Sequence, residues 1–153
     1  LNSFIQSIQK IIDRDLIVLE KEIALYPSDE LIWTTTGAIK NSAGNLSLHL
    51  CGNLQHYIGA VLGHSGYIRN RDNEFSAREM TSVDLLAEIK KTKNSVEIAL
   101  GSIRPEILAM PYPEEVFKVS MTTEYFLIHL TSHLGYHLGQ INYHRRMIQS
   151  HSI

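Results

Sequence analysis

The sequence predicts an all-α protein, an antiparallel four-helix bundle with long crossover connections. Three observations carry that expectation. Apolar residues recur at three- and four-residue steps in several long segments, the spacing that lines one face of a helix. No segment reads as a convincing strand, and there is no internal repeat or low-complexity tract. The helical segments are separated by stretches rich in proline, glycine or charge, which break the period.

The first helix carries Phe4, Ile8, Ile11, Ile12, Leu16, Leu19 and Ile23, with acids and lysines between them. It stops near Tyr26-Pro27-Ser28-Asp29, and Trp33 to Gly44 reads as a long connection. A second helix starts near Ser42 to Asn45 and runs to about Gly63. Gly52, Gly59 and Gly63 each cost it roughly 1 kcal/mol relative to alanine, which points to close packing against a neighbour. Gly63 to Gly66 and then Arg69 to Arg78 form a polar crossover. Thr81-Ser82-Val83-Asp84 looks like a capped helix start. Helix three then carries Leu86, Ile89, Val96, Leu100 and Ile103 before Pro105 ends it. After the break at Met110 to Pro113, Thr122 or Thr123 caps a last helix that runs through Tyr125, His133 and Gln140 to about Gln149.

A chain of 153 residues suits a single domain, here residues 1–150, able to bury roughly 70% of its unfolded surface. With 44% hydrophobic and 20% charged residues it is globular rather than disordered. A formal net charge of -2 makes it no electrostatic sink for nucleic acid. Arg69, Arg71 and Arg78 cluster, but Asp72, Glu74 and Glu79 interleave with them as on a solvated surface. The lone cysteine, Cys51, cannot form an internal disulfide, which fits a reducing cytoplasm, the expected location. The start of the chain reaches Asp13-Arg14-Asp15 too soon for the hydrophobic core of a secretory signal. Asn41 to Ile68 holds no formal charge, yet its Asn, Ser, Gln and three His suit a buried helix better than a membrane span.

Seven of the eight histidines fall in helices two and four or at their ends. His133 and His137 stand one turn apart on one helix face, roughly 6 Å apart at Cβ, so two imidazoles can grip one metal ion. His49, on the uncharged second helix, could supply a third ligand. Hydroxyls, carbonyls and water are the other partners that would satisfy such ring nitrogens. Spacing alone also permits His129 with His133, whereas His129 to His137 spans two turns, about 12 Å, too far for one small ion. His144 lies close to the same stripe. His56 is two turns from His49 and reads as a pocket wall or a satisfied core histidine; His64 and His151 read as solvated. Cys51 points about 200° away from His49 and is a buried bystander. Asn53 and Gln140 could orient the rings, and Tyr57 and Tyr136 join Gln140 as donors near the cavity.

The segment Asn45 to Leu54, with His49 at its centre, followed by Thr131 to Ile141, resembles the DinB-like superfamily of damage-inducible, metal-binding bundles. The resemblance covers essentially the whole chain: one histidine on helix two, then His-x-x-x-His ahead of Gly139-Gln140 on helix four. It implies that His49, His133 and His137 form the metal triad, and its Gly-Gln tail selects His133 with His137. Where that family often shows His-His-Arg-Gly-Gln, this chain has Tyr136-His137-Leu138-Gly139-Gln140. The triad is kept while substrate contacts change. Thiol S-transferases belong to the family and its members commonly pair, so a low-molecular-weight thiol and a homodimer are the implied partners.

Three neutral histidines leave an ion its full charge and an open position, the arrangement of a catalytic zinc site. Zinc is the default divalent metal, with nickel, iron and manganese also compatible. The uncharged segments offer no obvious carboxylate beside the triad, and Glu124 lies ahead of His129. A metal-dependent hydrolase usually needs such a base, so transfer of an electrophile to a thiol is the first expectation. Hydrolysis of a small substrate is the second. A non-enzymatic metal- or ligand-binding bundle of the stress response is the third.

Overall fold

Asn2 opens the chain's first helix: its side-chain oxygen accepts the Phe4 N–H at 2.8 Å and satisfies a donor the helix leaves free. The protein is described here from a computed structural model covering residues 2–150; His151 lies outside the described residues. Helix α1 (Ser3–Ala24) buries Ile5, Ile8, Ile12, Leu16, Leu19 and Ile23 along one face. Pro27 follows its end, and a short helix α2 (Asp29–Trp33) then forms where the sequence suggested only a break and a connection. Ser28 stands before α2, and Asp29 and Glu30 occupy its first turn, where acids complement the helix dipole.

Ser42 caps helix α3 (Ala43–Leu54), its hydroxyl accepting the Asn45 N–H at 3.1 Å. Every residue of α3 is buried. The helix does not run unbroken to Gly63 as predicted: at Gln55–Ala60 it widens into a π-helical segment, with Val61 N–H bonded to His56 O at 2.9 Å. The glycines here have the packing reason their spacing suggested. A Cβ on Gly59 would strike the Ser95 hydroxyl, and one on Gly63 would strike Ala99.

The predicted crossover holds a helix of its own, α4 (Arg71–Ser76), whose start is capped by Asn70 accepting the Asn73 N–H at 3.1 Å. Helix α5 (Ser82–Ser102) begins with the expected cap: Thr81 and Asp84 exchange side-chain and backbone hydrogen bonds. A 3-10 turn at Pro105–Ala109 follows. Helix α6 (Thr123–Ser150) is the longest, and Thr122, not Thr123, caps it by accepting the Tyr125 N–H at 3.2 Å.

The described residues therefore fold as six α-helices, with α2 and α4 short additions to the four long segments expected. Helices α1 and α3 each pack against both α5 and α6, and one hydrophobic cluster fills the space between them. Helix α4 lies against α3. No strand occurs among the described residues, only an isolated bridge between Pro111 and Thr122. Among the described residues, no helix is long and apolar enough to cross a membrane.

Candidate metal centre

The packing of α3 on α6 sets His49 opposite His133 and His137. His133 Nε2 lies 3.2 Å from His49 Nε2 and 3.1 Å from His137 Nε2. Ligand atoms of all three residues fall within 4.8 Å of one another. Metal–nitrogen bonds of about 2.0–2.1 Å separate neighbouring donors by about 3.3 Å in a tetrahedron and about 3.0 Å in an octahedron. Both separations from His133 suit either geometry.

The outer nitrogens decide where the lone pairs point. His49 Nδ1 lies 3.0 Å from Glu74 Oε2, and a carboxylate can only accept, so this nitrogen carries the proton. His137 Nδ1 lies 2.7 Å from Gln140 Oε1 and likewise donates. As neutral rings, both turn unprotonated Nε2 atoms toward His133. A single proton on His133 Nε2 could satisfy one of them but not both. A cation at the centre satisfies all three, so the donor set fits a divalent ion.

Glu74 was not legible as part of this site. It comes from α4, in the stretch that reads as solvated surface, yet it is only 4% exposed. Arg69 holds it with two hydrogen bonds, Nε to Oε1 at 2.7 Å and Nη2 to Oε2 at 2.8 Å. Arg69 Nη2 also lies 3.3 Å from His49 Nδ1, but both are donors, and the carboxylate between them receives each. Burial raises the Glu74 pKa, and hydrogen bonds from His49 and Arg69 outweigh it, so the group is held below the usual carboxylate range. The expectation of no carboxylate beside the trio, and of a solvated Arg69 and Glu74, is thus corrected. Gly52, three residues after His49, admits this carboxylate: a Cβ there would collide with Glu74 Oε1.

Burial pushes His133 down to about 4, helped by His137 and His49 nearby. His137 is lowered as well, chiefly by burial, against the opposing bond from Gln140. Both shifts favour the neutral form in which an imidazole ligates a metal.

Two cavities flank the trio. One, of about 510 Å³, is bordered by His49 and His133 together with Asn53, Tyr57, Arg69, Arg71, Phe117, Phe126 and His129. The other, of about 420 Å³, is bordered by His137, Ile39, Leu46, Tyr136, Gln140, Tyr143 and Met147. Among the described residues, Asn53 Oδ1 and His133 Nδ1 are buried without a hydrogen-bond partner, and both residues border the first cavity. Asn53 is therefore a cavity residue and orients none of the three rings. Tyr57 contributes a wall, its carbonyl accepting the Tyr112 hydroxyl at 2.8 Å, while Tyr136 is 65% exposed at the second cavity.

The remaining histidines separate cleanly. His56 points to Glu114, 3.0 Å away. His129 stacks on Phe126 with ring centroids 5.8 Å apart and stands outside the trio. His64 is exposed. His144 is buried between Tyr26 and Thr34. Cys51 is buried, which pushes its thiol up to about 12 and leaves it unreactive.

Residues 1–153 match the family described as "Protein of unknown function (DUF1572)", and the chain belongs to that family. No curated protein matches it. A crystal structure described as that of a conserved protein of a locus from Enterococcus faecalis is similar in fold, with a TM-score of 0.77 over 95% of this chain and 96% of that chain. The two sequences are 16% identical, so the likeness concerns the fold alone.

Proposed function

We propose that this member of the DUF1572 family is a metal-dependent enzyme of the DinB-like kind, its four long helical segments forming an antiparallel bundle. In this reading His49, His133 and His137 hold one divalent ion, zinc by default, and the reaction transfers an electrophile onto a low-molecular-weight thiol. One observation carries the reading: three Nε2 atoms converge while Glu74 and Gln140 occupy the outer nitrogens of two of the rings. A metal-ligating imidazole is commonly oriented in this way by a carboxylate or carbonyl.

The bound ion would supply Lewis acidity and lower the pKa of a thiol at its open position. The chain's own residues do the rest. Glu74 keeps His49 in the Nδ1–H tautomer, and Arg69 keeps Glu74 charged and in place. With its oxygens taken by His49 and Arg69, this carboxylate is not free to manage a water molecule, which favours a thiol nucleophile over hydrolysis. Two cavities, one bordered by His49 and His133 and the other by His137, suit a reaction with two substrates.

Elemental analysis of gently purified protein, made without chelator or histidine tag, tests the metal. About one ion per chain is expected, and it should be absent from a His133→Ala variant. A thiol added to cobalt-substituted protein should then produce thiolate-to-metal absorption. Absence of metal in a folded protein that also refuses added zinc would return the three histidines to the core and end the enzyme reading.

A further inference from the structure

We infer that the larger cavity takes a negatively charged co-substrate anchored by Arg71, a conclusion that rests on the metal-site reading above. Two cations border this cavity, and they differ in what they already hold. Arg69 is committed to Glu74 through two short bonds. Arg71 has no acidic partner among the described residues. Its guanidinium rests over the Phe75 ring, 5.5 Å from the centroid, and that ring lies 5.1 Å from the ring of His49. A cation–π contact leaves guanidinium N–H groups for a planar pair of oxygens. The cation is thus held one ring contact away from the metal trio with its fork unused.

A second observation points to an occupant. Asn53 is 7% exposed, and its Oδ1 has no partner in the protein. A buried acceptor left open costs stability unless something donates to it. A ligand that carries an anionic group for Arg71 and an N–H or O–H for Asn53 Oδ1 would satisfy both, while its reactive atom reached the face of the trio bordering this cavity.

Cobalt-substituted protein offers a direct test by its thiolate-to-metal absorption. The probes are 3-mercaptopropionate, 2-mercaptoethanesulfonate and neutral 2-mercaptoethanol. At least one anionic thiol should bind about tenfold more tightly than the neutral one, the worth of one charge-assisted hydrogen bond. Which of the two gains more tells a planar carboxylate from a tetrahedral oxyanion. Arg71→Ala should erase the preference while leaving 2-mercaptoethanol binding unchanged, and Arg71→Lys should restore part of it. Any advantage from direct chelation would survive in Arg71→Ala and is thereby separated. Equal preference for anionic thiols in wild type and Arg71→Ala overturns the inference and leaves the metal–thiol reading standing. Failure of all three thiols to produce the absorption overturns that reading and this inference with it.

Discussion

His137 and His144 sit seven residues apart on the same face of α6, and they have opposite fates. His144 is the more buried, at 4% exposure. Its Nε2–H donates to the Thr34 carbonyl at 2.8 Å, which leaves Nδ1 to accept the Tyr26 hydroxyl at 2.7 Å. Both nitrogens are satisfied by the protein. His137 satisfies only Nδ1, through Gln140, and turns its other nitrogen to a neighbour that cannot satisfy both rings facing it. Neither burial nor position along the helix tells a structural histidine from a candidate ligand. The inventory of ring-nitrogen partners does.

The largest contrast should come from alanine at the two kinds of site. His133→Ala should abolish metal uptake, read by elemental analysis. Disturbing the support of the trio should act more gently. Glu74→Gln removes the charge that fixes His49, and Gly52→Ala drives a methyl group into that carboxylate; each should weaken metal binding about 10- to 100-fold in competition with a chelating dye. His144→Ala should instead lower stability by about 1–3 kcal/mol, the cost of stranding the Thr34 carbonyl and leaving the Tyr26 hydroxyl only its long bond to the Ile141 carbonyl. Its metal content should stay at the wild-type level, and a loss there would break the comparison.

Acidification sharpens it further. Burial holds His133 near 4, below the ordinary value of 6.5. Between those values an unfolded chain binds a proton that the folded chain refuses, so stability rises with pH across the window. The metal-free protein should lose stability as pH falls from about 6.5 toward 4, and His133→Ala should flatten part of that fall, measured as Tm against pH in chelator. The smallest effect belongs to His129→Ala. That ring lies 6.1 Å from His133 and outside the trio, so metal stoichiometry should not change.

The long helices were legible because each carries an apolar row at helical spacing, and the caps at Ser42 and Thr81 announce themselves by residue type. The proximity of His133 and His137 follows from their four-residue step; His49, on the uncharged second helix, was a possible third ligand that the resemblance to DinB-like bundles then selected. Glu74 could not be read the same way. The six residues of α4, three of them charged and four exposed, have no apolar stripe to betray which side turns inward. Gly52 held the available clue, a glycine in a buried helix beside His49, but a glycine tells of a close approach without naming what approaches. Helix α2 is a single turn, too short for a period to register, and the π-helical widening at Gln55–Ala60 leaves no mark in composition.

The Tyr26–His144–Thr34 joint has a practical use. An α-helix couples translation to rotation, about 1.5 Å with about 100° per residue, so α6 cannot slide to reseat His137 without also unseating His144. Thr34, the acceptor at that joint, directly follows Trp33, the lone tryptophan of the chain, whose indole donates to Met80 O at 2.8 Å. The protein thus carries an optical gauge of its own: the emission of Trp33 should follow how α6 is seated, with no label attached.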